Sequence, residues 1–207
     1  MTLYHIKWFC SSIPAQLAEE LSLSDSQLVV KTVPDPGLLS KDPTLLRLSP
    51  GRVVRVLVLP DGSAICESAA IALYLCETFD KDGVMHPAVG SPTRAKFLQG
   101  VVYSAAEGYK ATMNVFLECY EIEKKERNYE VIAKHMENFQ KVVIDHLVRE
   151  LADGRLYYLG ENMSLCDIMF GYLLMTAVAT EENLLTNDIV SQYFGRLASR
   201  PSFKKYY

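Results

Sequence analysis

One short segment, residues 49–71, constrains the fold of this 207-residue chain more than any other. Residues 53–59 are rich in valine and leucine, and the Asp-Gly pair at 61–62 is a strong signal for a hairpin turn. Residues 65–66 predict a short second strand, and the apolar run 69–75 predicts a helix. The segment therefore predicts a strand, a tight turn, a second strand and a helix in direct succession.

Glu67 and Ser68 stand at the predicted start of this helix. The free N–H groups and the positive dipole at a helix start can hold a carboxylate, and a neighbouring glutamate can hold an ammonium group. The two residues therefore predict a binding site for a ligand that carries both charges at one end. The alternative for Ser68 is a simple helix cap.

These residues resemble the glutathione-binding half of the glutathione transferase superfamily. The family pattern is Asn-Pro-x-Gly-x-Val-Pro, a strand, Asp-Gly, and then Glu-Ser-x-Ala-Ile and Tyr-Leu. The chain matches it without a gap at Pro50, Val54, Asp61, Gly62, Glu67, Ser68, Ala70, Ile71, Tyr74 and Leu75. The resemblance implies that Glu67 and Ser68 bind the γ-glutamyl end of glutathione and that the backbone of Val54 contacts its cysteinyl part.

Arg55 departs from this pattern, because the family has a cis proline at that place. A cis bond is costly before any residue other than proline, so we expect a trans bond between Val54 and Arg55 and a reshaped loop. Strain that is retained for function is the alternative. In the reshaped loop Val54 would hold glutathione less well, and we therefore expect weak glutathione binding.

The order of the predicted elements indicates two domains. The order βαβ, α, ββ, α in residues 1–79 is that of a thioredoxin-like α/β domain, which the resemblance assigns to glutathione binding. Residues 80–92 contain glycine and proline with little periodicity and predict a linker. Residues 93–207 predict an all-α domain, in which Ser164 to Asp167 has the form of a capping box.

Cys10 is the main candidate for a reactive group, since it lies between the first predicted strand and the first predicted helix. A thiol at a helix N-terminus ionises to the thiolate more readily, and we expect Cys10 to be the exposed, fast-reacting cysteine. Its segment resembles the Cys-Ser-x-x-Pro segment of the beta-class bacterial transferases, in which the cysteine contacts glutathione or forms a mixed disulfide with it. A buried, inert cysteine is the alternative.

Ser11 is the second catalytic candidate. In the serine-type classes of the family, a hydroxyl at this place donates a hydrogen bond to the glutathione sulfur. A plain N-cap is the alternative role for Ser11.

Tyr103, Glu107 and Lys110 lie at helical spacing on the first long helix of the second domain. The resemblance implies that this helix lines the pocket for the second substrate. The alternative is a solvated face or a face between the domains.

Composition argues against several other classes of function. A net charge of −4 offers no basic surface for nucleic acid, and no apolar run approaches the length of a membrane span. The five cysteines are scattered without CxxC or zinc spacing, which indicates reduced thiols in the cytoplasm and no metal site.

The sequence thus predicts an enzyme that activates the thiol of glutathione, its co-substrate, for conjugation to or exchange with a small electrophile. The resemblance also implies a homodimer. The alternative is a non-catalytic relative that binds a ligand or a protein, and Arg55 is the residue that favours it.

Overall fold

The computed structural model describes residues 1–34, 43–49, 55–180 and 184–207. The chain divides into two compact units, the first of Met1–His86 with Pro201–Tyr207 and the second of Pro87–Arg200. The expectations for Pro50, for Val54 and for the bond between Val54 and Arg55 lie outside the described residues.

The first unit is built around a mixed sheet. Its elements before residue 87 are β1 (Thr2–His5), α1 (Ser12–Glu20), β2 (Val29–Thr32), α2 (Pro43–Leu48), β3 (Val56–Val58), β4 (Ala64–Cys66) and α3 (Ser68–Phe79). Across the described residues four strands form one sheet in the order β2-β1-β3-β4, with β1 parallel to β2 and the other pairs antiparallel. This arrangement confirms the predicted thioredoxin-like α/β domain.

The β3–β4 hairpin follows the turn chemistry of its sequence. Gly62 adopts a φ of 84°, which is a conformation that glycine reaches without steric cost, and its N–H donates to Leu59 O at 3.0 Å. Asp61 Oδ1 accepts from the N–H of Ser63 at 2.9 Å. The register then pairs Val56 with Cys66, so that β4 delivers the chain directly to the start of α3.

The second unit is helical throughout its named elements. They are α4 (Arg94–Tyr103), α5 (Tyr109–Phe116), α6 (Tyr129–Phe139), α7 (Asp145–Glu150), α8 (Leu165–Val178) and α9 (Asp188–Ala198). Single π-helical turns, Ser104–Gly108 and Gln140–Ile144, join α4 to α5 and α6 to α7. The unit confirms the predicted all-α fold of the C-terminal region.

Helix α8 forms the centre of this unit, and it is buried along nearly its whole length. The predicted capping box is present: Asp167 Oδ2 accepts from the N–H of Ser164 at 2.7 Å and from its hydroxyl at 2.8 Å. Asp167 Oδ1 accepts from the N–H of Tyr158 at 2.7 Å and from the hydroxyl of Tyr193 at 2.8 Å. The cap therefore also ties α8 to α9 and to the loop before it.

The last helix, α10 (Pro201–Tyr206), belongs to the first unit although it follows the helical unit in the chain. Ser12 Oγ donates to Tyr206 O at 3.4 Å, and Gln16 Nε2 donates to Ser202 Oγ at 3.4 Å. These contacts hold α1, the helix that begins just after Cys10, against a segment more than 180 residues away in sequence.

Candidate functional site

Cys10 lies in a compact turn between β1 and α1. The N–H of Phe9 donates to Ile6 O at 3.3 Å, and the N–H of Ser12 donates to Phe9 O at 2.8 Å. This folding leaves Cys10 only 8% exposed, so the expectation of an exposed thiol is wrong. The reason is that the turn packs the cysteine inward while Trp8 and Phe9 face the solvent.

Ser11 is fully buried, and its hydroxyl turns back toward β1. The N–H of Ile6 donates to Ser11 Oγ at 3.0 Å, and Oγ lies 3.2 Å from Ile6 O and 3.3 Å from His5 Nδ1. Within the described residues the side chain makes no capping bond to α1, so it is not a plain N-cap. Its one proton serves Ile6 O or His5, and a ligand sulfur would have to compete for it.

His5 is buried behind Ser11, and its ring is perpendicular to that of Tyr206 with 5.4 Å between the ring centroids. Burial lowers the pKa of His5 to about 4, and the charge of Lys7 acts in the same direction. The imidazole is therefore neutral at neutral pH. It orients the Ser11 hydroxyl and supplies no positive charge that could favour a thiolate.

Glu67 links β4 to α3 with an unusual backbone conformation. Its φ of 75° and ψ of 120° are rare for a residue with a side chain, and such positions cluster at functional sites. The N–H of Ile71 donates to Glu67 O at 2.9 Å and makes the first bond of the helix. The N–H groups of residues 68–70 precede that bond and have no intrahelical acceptor.

Ser68, Glu67 and Arg55 come together at this helix start. Ser68 is 5% exposed, and among the described residues its hydroxyl has no hydrogen-bond partner. Glu67 Oε2 lies 3.2 Å from Arg55 Nη1, and the side chain of Glu67 is 63% exposed. Chemically, this corner can hold an anion on its N–H groups and a cation on Glu67.

Tyr103, Glu107 and Lys110 do not share one environment. The hydroxyl of Tyr103 donates to Val142 O at 2.8 Å, and its ring stacks on His146 with the centroids 4.2 Å apart. Burial raises the pKa of Tyr103 and the charge of Glu107 adds to the shift, whereas the charge of Arg149 opposes it. Glu107 and Lys110 are exposed. The phenol is thus held within the helical unit, and the two charged side chains are open to solvent.

Two features of the site escaped the sequence analysis. One is the ion pair between Arg55 and Glu67, which depends on strand register. The other is the exposed aromatic pair Trp8 and Phe9 beside Cys10, in which Trp8 has a φ of 73°. Two large aromatic residues directly before Cys10 are a signal that the sequence does contain, whereas the backbone strain at Trp8 has no sequence signature.

Metal binding and membrane crossing each require particular features of the described ranges. No cluster of three or more His, Cys, Asp or Glu side chains there could hold a metal ion. Nor does any helix in those ranges combine the length and the apolar character that crossing a membrane requires.

The chain resembles known proteins in part of its sequence and in its fold. Residues 16–78 match the family model described as the N-terminal domain of glutathione S-transferase. This match begins after Cys10 and Ser11 and includes Glu67 and Ser68. The sequence matches no curated protein.

Solved structures resemble the chain over its full length. A sphingomonad glutathione S-transferase complexed with glutathione is 24% identical, with a TM-score of 0.81 over 100% of this chain and 96% of that one. The beta-class transferase of Sphingomonas chungbukensis is 22% identical, with a TM-score of 0.79 and coverage of 100% and 96%.

A glutathione transferase homologue of Lodderomyces elongisporus, with two glutathione molecules per subunit, is 18% identical. Its TM-score is 0.82, and the match covers 99% of this chain and 95% of that one. Likeness at such low identity establishes a fold and no activity. The protein therefore has the glutathione transferase fold, and its residues 16–78 match the N-terminal domain of that family.

Proposed function

We propose that this protein binds glutathione and makes the glutathione thiol reactive toward a small electrophile. The observation that carries the proposal is the start of α3. Its first N–H groups, which have no acceptor within the helix, and the exposed carboxylate of Glu67 complement the carboxylate and the ammonium group of a γ-glutamyl residue. Neighbours of the same fold that hold glutathione support this assignment.

The γ-glutamyl and cysteinyl parts of glutathione have candidate partners in this proposal. Glu67 binds the ammonium group, and Ser68 with the adjacent N–H groups binds the α-carboxylate. The unpartnered hydroxyl of Ser68 supports its role, because buried hydroxyls in proteins ordinarily have partners. The backbone of Val54 is the candidate for the cysteinyl part, and this assignment rests on the resemblance of its segment alone.

The chemistry follows from the thiolate. The glutathione thiol releases its proton to solvent, the thiolate sulfur attacks the electrophile, and a leaving group departs with its electron pair as the new bond forms. Of the two candidates near the thiol, we favour Cys10, because the Ser11 proton already serves Ile6 O or His5. If Cys10 itself reacts, its thiolate attacks a disulfide sulfur and releases the other sulfur as a thiolate, which is thiol–disulfide exchange.

The remaining parts of the proposal concern partners and compartment. The homodimer of this proposal rests on the resemblance to the family alone. All five cysteines lie within the described residues and none of them forms a disulfide bond, which supports a reducing compartment such as the cytoplasm. Exposed Glu107 and Lys110 stay candidates for contacts to the second substrate, and Tyr103 does so only if its bond to Val142 opens.

Isothermal titration calorimetry with glutathione tests the binding site. Glu67→Ala and Ser68→Ala should each weaken binding by about fivefold to a hundredfold, because each removes a charge-assisted contact. Asn128→Ala is the matched control. It removes a helix cap at the start of α6, where Asn128 Oδ1 accepts from Glu130 and Val131, and it should leave the affinity unchanged. Unchanged affinity in both site variants would contradict the proposal.

The second candidate is a non-catalytic protein that binds glutathione or a related peptide. Two observations favour it: Glu67 is already paired with Arg55, and the Ser11 hydroxyl is engaged within the fold. Turnover of an aryl halide with glutathione separates the candidates. Binding with turnover supports the transferase, whereas binding without turnover of this or any tested electrophile supports the second candidate.

A further inference from the structure

The ion pair between Arg55 and Glu67 has no role in the proposed function, yet the sheet builds it into the site. Strands β3 and β4 are antiparallel, and Val56 pairs with Cys66. The residue before Val56 therefore lies beside the residue after Cys66, which brings Arg55 to Glu67. The contact of 3.2 Å follows from the register of the sheet and from the backbone conformation of Glu67.

The two partners of this ion pair differ in how much of each side chain is exposed to solvent. The side chain of Arg55 is 22% exposed, whereas that of Glu67 is 63% exposed. The side chain of Arg55 is thus the more enclosed of the two, and the carboxylate of Glu67 is the partner that a ligand reaches more readily. A ligand group that binds Glu67 therefore meets a carboxylate whose charge is already partly compensated.

The guanidinium of Arg55 affects the ammonium group and the carboxylate of a bound amino acid in opposite ways. An ammonium group at Glu67 is repelled by the guanidinium that occupies the same carboxylate. A carboxylate at the start of α3 is attracted by the helix N–H groups and, in addition, by the guanidinium charge. Arg55 therefore weakens the cation-binding half of the corner and strengthens its anion-binding half.

We propose that Arg55 is a specificity-determining residue, which shifts this corner toward ligands that end in a carboxylate and lack the neighbouring ammonium group. The inference rests on the proposed function, because it concerns the ligand preference of the same site. The class of ligand that Arg55 admits alongside glutathione is a thiol peptide whose first residue is a deaminated acid, such as a glutaryl group in place of γ-glutamyl.

The test compares glutathione with N-glutaryl-cysteinylglycine, which lacks only the α-amino group, by calorimetry. The parent protein should bind the two peptides within about threefold of each other. Arg55→Gln removes the guanidinium charge. It should bind glutathione about fivefold to tenfold more tightly than the parent does, and prefer it to the glutaryl peptide by about tenfold.

Two further variants identify the cause. Lys125→Gln is the matched control, since it removes one positive charge from an exposed ion pair with Glu123 in the Pro87–Arg200 unit. It should keep the parent's ratio of affinities. In a Glu67→Gln background, Arg55→Gln should no longer raise the preference for glutathione, because the carboxylate through which it acts on the ammonium is gone.

The outcomes separate this inference from the proposed function. If both peptides bind and Arg55→Gln leaves the ratio unchanged, Arg55 does not set specificity, and the glutathione site stands. A parent that prefers glutathione by about tenfold or more overturns the inference even if Arg55→Gln does not fold. If the folded parent and variant bind neither peptide, the proposed function fails and the inference fails with it.

Discussion

Helices α3 and α8 both begin at a serine and an acidic residue, but the polar groups at the two starts are in opposite situations. At α8, the carboxylate of Asp167 is fully buried and accepts hydrogen bonds from Ser164, Tyr158 and Tyr193. At α3, the carboxylate of Glu67 faces the solvent, and within the described chain the hydroxyl of Ser68 lacks a hydrogen-bond partner.

The same residue types therefore stabilise the fold at one helix start and are available for binding at the other. A helix start whose donors are all satisfied by the protein has no capacity left for a ligand. A start with free N–H groups and an accessible carboxylate keeps that capacity, at some cost in stability. By this criterion α8 belongs to the core and α3 to the candidate site, and four experiments test the distinction.

The largest effect is expected from Asp167→Ala. Its removal leaves several buried donors without an acceptor, including the hydroxyl of Tyr193 and the N–H of Tyr158. The free energy of unfolding should fall by about 3–5 kcal/mol. Urea unfolding followed by circular dichroism measures it, and a loss below about 1 kcal/mol would contradict a structural role for this cap.

His5 lies beside Ser11 at the start of α1, a third helix start, where the serine hydroxyl is bonded within the protein as it is at α8. Burial lowers the folded-state pKa of His5 to about 4, against 6.5 in the unfolded chain. Between these values the unfolded state binds more protons, so the free energy of unfolding should fall by about 2–3 kcal/mol as the pH drops from 6.5 to 4.

The variant His5→Gln isolates this contribution, because a glutamine does not titrate in that range. Urea unfolding at neutral pH and near pH 4.5 should show a smaller loss of stability on acidification in the variant than in the parent. Equal losses in the two proteins would mean that His5 is not held neutral in the fold.

Gly100 tests how tightly the start of α8 is packed. A Cβ at this position would lie 2.6 Å from the ring of Tyr158 and 2.8 Å from Cys166 Sγ. Gly100→Ala should therefore lower the free energy of unfolding by about 1–3 kcal/mol.

Gly195 in α9 is the matched control, since a Cβ there would meet nothing within 4 Å in the described structure. Gly195→Ala should raise the free energy of unfolding by about 0.5–1 kcal/mol through helix propensity alone. The same substitution is thus expected to act with opposite signs, and stabilisation at both positions would show that the packing around α8 is loose.

The smallest effect on stability is expected from Ser68→Ala. The hydroxyl has no hydrogen-bond partner among the described residues, so its removal breaks no bond. The free energy of unfolding should change by less than about 0.5 kcal/mol in urea unfolding. A loss above about 1 kcal/mol would show that Ser68 caps α3, and the contrast with α8 would then disappear.

Local chemistry explains why much of the fold was predictable from the sequence. The Asp-Gly turn, the capping box at Ser164 and the apolar run of α8 each depend on residues within a few positions of one another. The pair Glu67 and Ser68 was predicted at a helix start for the same reason, and the helix begins at Ser68. Their role in binding remains a prediction.

The exposure of Cys10 was predicted wrongly because it depends on contacts that no local pattern encodes. The turn that buries Cys10 includes local bonds to Ile6, but the helix after it is held by α10, more than 180 residues away in the chain. Such contacts between distant segments leave no periodic signal in either segment.

Local patterns in the chain specify the order of the elements, the hairpin, the helix starts and the residue types at the candidate site. Which of those residues bond within the protein, and which stay open to a ligand, depends on tertiary packing. It turned the Ser11 hydroxyl to Ile6, paired Arg55 with Glu67 through strand register, and left Ser68 without a partner in the described chain. The physical reason is that hydrogen bonds and ion pairs between elements depend on how those elements pack, and packing involves residues far apart in the chain.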